Sequence, residues 1–268
     1  MKNKIKVAFI GCGNMARAVI ERLSGRAAVT AFKAWGYVLS ITACDKDESK
    51  LLPVQKFCKT TVDPVRAVAD VDYVVVAVRP CDARAALSGL DLSNKVIISF
   101  AAGVSLDTLA NITSSGRLVR CMPNINARVG EAYTAYSVRG ISDERTLRET
   151  EFILGGLGMY ARTDETLMSA ATALAGSAPA FICSAINALC DEAVALGFAP
   201  DEAERAVVQI VAGSAAYYDE FGGGAKLESC TRGGTTEAGM AYLKEKGFES
   251  VLRGAVRKAY ERAEEIAQ

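Results

Sequence analysis

Gly11-Cys12-Gly13-Asn14-Met15-Ala16 is the first stretch of the chain whose residue types and spacing could do chemistry. Two glycines one residue apart, with a small residue three further on, let a backbone turn lie against a diphosphate. The stretch follows the apolar run Lys6–Ile10 and opens a helical one, Met15–Leu23. In that context Gly11 permits the tight turn, Gly13 lets the backbone approach, and Ala16 allows close helix–strand packing. A diphosphate would rest on the free N–H groups of the turn, at the positive end of the helix dipole, with Asn14 and Met15 in that first turn. Asp45 stands at the end of the second apolar run. A carboxylate there binds the adenosine ribose hydroxyls and repels a 2′-phosphate, which favours NAD. Lys46 beside it would instead attract that phosphate, so NADH and NADPH both stay open. The interval from the glycines to Asp45 exceeds the usual ~20 residues, and we read 26–37 as an added loop.

The second candidate is Gly233-Gly234-Thr235-Thr236, which precedes Glu237 and a helical pattern. Paired glycines at a helix start expose N–H groups that suit a carboxylate. Threonine before a glutamate is also an ordinary helix cap, and on residue chemistry alone the two readings are even. The chain has no histidine. That excludes serine–histidine and cysteine–histidine nucleophiles and the usual histidine general base. Catalysis must then rest on a cofactor, a hydroxyl, a carboxylate or positioning.

The elements that must position these residues fall into two groups. Up to about residue 163, apolar runs of strand length alternate with helical pieces such as Asp82–Leu87. The runs are Lys6–Ile10, Val38–Ala43, Tyr73–Val78, Val96–Ser99 and Leu118–Met122, with Glu131–Val138 and Met159–Arg162 closing the far edge. Val74 to Val78 shows no polar alternation, as expected of a parallel strand covered on both faces. This rhythm predicts an α/β fold, a doubly wound Rossmann-type sheet. Beyond it the pattern is all-helical. One helix follows Ser177-Ala178-Pro179 and ends near Gly197, a second runs from Pro200-Asp201 towards Phe221, a third opens at Thr235-Thr236-Glu237, and the last spans Phe248 to Ala267. We therefore expect a dinucleotide-binding domain over 1–163 and an all-helical substrate-binding and dimerisation domain over 164–268. The wide apolar faces of the short second half need another surface to cover them, which predicts a homodimer.

Lys plus Arg and Asp plus Glu number 31 each, for a net charge of zero, so nothing suggests nucleic acid or an anionic membrane as partner. Eight cysteines form no C-x-x-C pair, and without histidine no zinc site or other metal centre is expected. Reduced thiols in a cytoplasmic protein are the expectation, with Cys121 and Cys183 buried as small hydrophobes. Ala178 to Phe198 contains Asn187, Asp191 and Glu192 and reads as a buried helix, not a membrane span.

Several motifs in order resemble those of the pyrroline-5-carboxylate reductases, and the likeness covers essentially the whole chain. They are the Gly11–Ala16 turn, Ala77-Val78-Arg79-Pro80, Ser99-Phe100-Ala101-Ala102-Gly103-Val104, Arg120-Cys121-Met122-Pro123-Asn124, Ala173-Leu174-Ala175-Gly176-Ser177-Ala178-Pro179-Ala180 and Thr231-Arg232-Gly233-Gly234-Thr235-Thr236. The resemblance implies NAD(P)H-dependent reduction of the cyclic imine 1-pyrroline-5-carboxylate to proline. It implies that Thr236 hydrogen-bonds the ring nitrogen, with Thr231, Gly233, Gly234 and Thr235 around the substrate. It also implies that Ala77 to Pro80, Ala101 to Gly103 and Asn124 line the cofactor. The chain departs from the family in four places. Arg232 replaces a proline, Ile125-Asn126 a Thr-Pro, Ala178 a glycine, and Pro64 stands near an asparagine that contacts the adenosine end. The alternatives are a paralogous reductase of another cyclic imine or imino acid, or a non-catalytic dinucleotide-binding paralog.

Overall fold

The structure is a computed structural model that describes residues 3–222 and 232–267. Its eight strands are β1 (Asn3–Ile10), β2 (Tyr37–Cys44), β3 (Lys59–Thr61), β4 (Tyr73–Val76), β5 (Val96–Ser99), β6 (Arg117–Met122), β7 (Ala132–Arg139) and β8 (Gly158–Arg162). They form one sheet in the order β3-β2-β1-β4-β5-β6-β7-β8. Pairing is parallel from β3 to β6, antiparallel between β6 and β7, and parallel again between β7 and β8. The absence of polar alternation in β4 has the expected cause. Tyr73 and Val75 pack on one face with Val7, Phe9 and Ile98; Val74 and Val76 pack on the other with Ala8, Ile10 and Ile97. The strand expected to reach Val78 stops at Val76, because Ala77 and Val78 carry the chain out past the end of β1.

Chain order reverses between β1 and β4, the switch point outside whose carboxyl ends ligands bind in such sheets. Register brings those ends level. Ile10 pairs with Val76, the Ala77 N–H donates to the Ile10 carbonyl at 2.8 Å, and the Gly11 N–H donates to the Cys44 carbonyl at 2.8 Å.

Six helices accompany the sheet: α1 (Asn14–Ser24), α2 (Arg26–Ala34), α3 (Pro64–Ala69), α4 (Ala83–Leu87), α5 (Leu106–Ile112) and α6 (Glu144–Gly155). Residues 26–37, read above as a loop, are instead α2 and its turn into β2. Ala28 and Phe32, four apart on one face, are buried, and the Phe32 ring lies 4.6 Å from that of Phe152. Gly36, at φ +80°, lets the chain turn back into the sheet. Side-chain caps start three of the others: Asp63 for α3, Ser105 for α5 and Asp143 for α6.

The helical part comprises α7 (Met168–Ala171), a π-helical stretch Thr172–Ser177, α8 (Ala178–Ala195), α9 (Pro200–Phe221), α10 (Thr235–Glu245) and α11 (Phe248–Ala267). Proline occupies the first turn of both α8 and α9, where its missing N–H costs nothing. The chain groups into two compact units. One runs through Gly176 and takes in the segment from Ala259 onward; the other is Ser177–Lys258.

α8 departs from expectation. No residue of it is buried, Ile182 and Leu189 are each 51% exposed, and Cys183 is exposed whereas Cys121 is buried. Among the described residues, none in the unit Ser177–Lys258 brings any part of α8 to full burial. By length and composition alone, Glu165–Ala195 would suffice to cross a membrane.

Candidate functional site

The glycine turn is fixed by what surrounds it. Gly11 has φ +94°, and a Cβ there would stand 2.7 Å from the Ala77 carbonyl oxygen. Only glycine satisfies both conditions. A Cβ on Gly13 would meet nothing within 4 Å, so that side of the turn is open. Gly13 is also the N-cap of α1, where no side chain caps the helix and no acidic residue occupies the first turn. The positive end of α1 is thus left for an outside anion. Behind it Ala16 is fully buried, Met15 packs against the core and Asn14 is exposed. These features fit the diphosphate of a dinucleotide.

A cleft of about 390 Å³ opens at the carboxyl ends of β1, β2 and β4. It brings together Gly11, Gly13, Asp45, Lys46, Ala77, Val78 and Arg79 from the sequence candidates. Lys50, Val62 and Asp82 also line it, as does Pro64. Sequence reasoning missed the first three. Lys50 closes a short 3-10 turn, Glu48–Lys50, which Asp47 starts by accepting the Ser49 N–H at 3.0 Å. The Asp-x-Ser pattern was the available signal for a chain reversal there.

Asp45 is not aimed into the cleft as a free acceptor. Its Oδ2 accepts the Cys12 N–H at 2.8 Å, its Oδ1 accepts the Asp47 N–H at 3.0 Å, and Lys50 Nζ stands 3.8 Å from Oδ1. The side chain is 9% exposed. It ties the end of β2 to the middle of the glycine turn. Arg79 pairs with Asp82 at 2.8 Å, which holds the Asp82 carboxyl below its ordinary range. Burial pushes the Cys12 thiol up to about 11, so it is no nucleophile at neutral pH.

The remaining cofactor candidates lie outside that cleft, along the same edge of the sheet. Pro80 opens a 3-10 turn, Pro80–Asp82. Ala101 follows β5 and is buried, Ala102 is half-buried, and a Cβ on Gly103 (φ +77°) would meet the Ile266 carbonyl oxygen at 2.8 Å. Asn124 follows β6, is buried, and accepts the Asn126 N–H at 3.1 Å on its side-chain oxygen.

In the second unit, α10 starts at Gly234, its N-cap, without any side-chain cap. Thr235 and Thr236 therefore sit inside the first turn, and neither serves as the ordinary cap. Gly233 has φ +77°, and its N–H donates to Glu237 Oε2 at 2.5 Å. Thr236 is half-buried, and Arg232 is exposed. Thr231 lies outside the described residues.

Comparison with known proteins finds family matches at both ends of the chain. Residues 6–103 match the description "NADP oxidoreductase coenzyme F420-dependent", and residues 165–266 match "Pyrroline-5-carboxylate reductase dimerisation". A pyrroline-5-carboxylate reductase of Aquifex aeolicus is 33% identical over 98% of this chain and 97% of its own. This chain belongs to the pyrroline-5-carboxylate reductase family. A solved reductase of this name from Streptococcus pyogenes superposes with a TM-score of 0.82 at 28% identity, covering 97% of this chain and 98% of that one. A Plasmodium falciparum pyrroline carboxylate reductase, solved with NADP bound, shares the fold with a TM-score of 0.85 at 22% identity, over 98% and 100% of the two chains. Among the departures from the reductase pattern, Pro64 opens α3 at the rim of the cleft, Asn126 is capped by Asn124, and Ala178 is the first residue of α8.

Proposed function

We propose that the protein is an NAD(P)H-dependent oxidoreductase that reduces 1-pyrroline-5-carboxylate to L-proline, the last step of making that amino acid. The observation that carries the reading is the uncapped, open-sided glycine turn at the β1–β4 switch point, in a chain that carries the family's pattern from end to end. NAD(P)H, when bound, supplies the hydride. Gly11, Gly13 and the first-turn N–H groups of Asn14, Met15 and Ala16 hold its diphosphate, Asp45 keeps that turn in place, and Ala77 to Pro80, Ala101 to Gly103 and Asn124 shape the rest of its bed.

Reduction of a protonated imine needs no nucleophile, because the nitrogen already carries the proton that the product amine retains. The chain has to hold the imine and exclude water. The Thr236 hydroxyl oxygen accepts a hydrogen bond from the protonated ring nitrogen, and the first-turn N–H groups at Gly234, Thr235 and Thr236 receive the substrate carboxylate. Thr231 belongs to the same group by its place in the signature. The Gly233 N–H is already taken by Glu237, so substrate either displaces that carboxylate or binds beside it.

We further propose that 1–163 is the dinucleotide-binding domain and that 164–268 handles substrate and forms a homodimer. The dimer is supported by apolar α8 and α10, neither of which has a buried residue, and by the dimerisation description matched there. A neutral protein with reduced thiols suits the cytoplasm, with neither nucleic acid nor membrane as partner.

The test mixes purified protein with pyrroline-5-carboxylate and NADH or NADPH and follows loss of the reduced nicotinamide absorbance. Turnover with at least one cofactor, with proline as product, is expected. Tight dinucleotide binding without turnover of either would refute the assignment.

A further inference from the structure

The acidic residue at the end of β2 conventionally marks NAD, since it binds both ribose hydroxyls and repels a 2′-phosphate. Asp45 stands at that place, yet its geometry is that of a brace. Both carboxylate oxygens accept backbone N–H groups, from Cys12 and Asp47, and Lys50 lies 3.8 Å away. With 9% of the side chain exposed, little of it is left to face a ribose. Its charge is spread over two N–H dipoles and an ammonium group, which weakens the repulsion it would exert on an incoming anion.

The cleft beside it is cationic. Lys46, Lys50 and Arg79 line it against Asp45 and Asp82, and both acids have a basic partner within 4.0 Å. The field of Lys46 and Lys50 is felt as far as Asp82, since both lysines help to lower its pKa after the larger effect of Arg79. Lys46 is exposed, follows Asp45 directly, and sits where the adenosine ribose lies in a sheet of this winding. From this arrangement we infer that Lys46 and Lys50 form a 2′-phosphate subsite, so that the chain selects NADPH over NADH although it has an aspartate at the position expected of an NAD enzyme. Asp45 is then a positioning residue for the glycine turn, and Lys46 is the specificity-determining one. The inference deepens the proposed reductase reading by naming which cofactor the same site takes.

The test uses binding and no turnover, so its result stands apart from whether the protein reduces pyrroline-5-carboxylate. Calorimetric titration of the full chain with adenosine 2′,5′-bisphosphate and with 5′-AMP, at low salt, compares ligands that differ by the 2′-phosphate alone. The bisphosphate should bind at least about tenfold tighter, as one charge-assisted contact warrants. Lys46→Ala should remove most of that difference and leave 5′-AMP affinity within about twofold. Lys50→Ala should reduce the difference too, and should also weaken 5′-AMP, because Lys50 steadies Asp45. Equal or tighter binding of 5′-AMP by the wild-type protein would overturn the inference. So would a preference that survives both lysine substitutions, or failure of either nucleotide to bind. The last result would also count against the dinucleotide site itself; the first two would leave the reductase reading intact.

Discussion

Two regions of this chain treat their apolar residues in opposite ways. In the unit that runs through Gly176, all four residues of β4 are buried, and apolar clusters cover the sheet on both faces. In Ser177–Lys258, α8 and α10 bury nothing, and Ala203 and Val207 of α9 are the buried residues among those described. Yet Ile182, Leu189, Ile210 and Met240 are each more than half exposed there. At about 25 cal/mol per Å² of apolar surface, such faces are costly to leave in water. The sheet unit closes its own core and can present a preformed ligand edge. The helical unit carries apolar surface that its described residues leave exposed, which supports the proposed dimer.

The largest effect that would break this contrast is a charge placed on α8. Leu189→Asp should turn a dimer into a 28.3 kDa monomer, or abolish soluble expression. Val65→Glu, at an exposed apolar position of the sheet unit (60% exposed), should leave the mass unchanged. Equal behaviour of the two variants, read by light scattering, would remove the distinction. Next in size is Gly11→Ala. It forces a Cβ against the Ala77 carbonyl at positive φ, so it should cost about 2 kcal/mol of stability in thermal melts and abolish dinucleotide binding.

Thr236→Ala sharpens the contrast from the helical side. It should lower kcat/KM by about 10- to 100-fold while dinucleotide affinity stays within about twofold. Equal losses in both would make Thr236 structural. Tyr73→Phe probes the sheet core, where the phenol donates to Glu149 Oε2 at 2.7 Å and Arg145 holds the other oxygen at 2.9 Å. Burial and that carboxylate push the Tyr73 hydroxyl far above its ordinary pKa. The substitution should cost about 1–2 kcal/mol in denaturant unfolding and leave KM untouched. The smallest effect is that of Glu237→Gln. Removing a negative charge from the Gly233 N–H should lower KM by about threefold, because the substrate carboxylate then meets less repulsion there, and a raised KM would show that Glu237 only supports the turn.

Much of the sheet was legible because parallel strands covered on both faces leave unbroken apolar runs, as at Val74 to Val76, and because glycine turns have a fixed chemistry. The helix starts at Pro179 and Pro200 were legible for a similar reason: proline has few places to stand. α2 was not, since its stripe consists only of Ala28 and Phe32 on a helix of nine residues. At the site, Gly11 and Gly13 could be read from spacing, and Asp45 could be located. Its partners could not, because Cys12 and Asp47 reach it through backbone N–H groups, which every residue but proline has. Lys50 entered the cleft through a turn that leaves no periodic trace. Burial of α8 was misjudged because sequence shows that an apolar face needs cover without showing which chain provides it.

That last point admits a direct measurement. Static light scattering of the purified wild-type protein, at micromolar concentration and with no ligand added, should give at least twice the 28.3 kDa chain mass. A mass of 28.3 kDa would contradict the account, since the exposed faces of α8 and α10 would then be left in water.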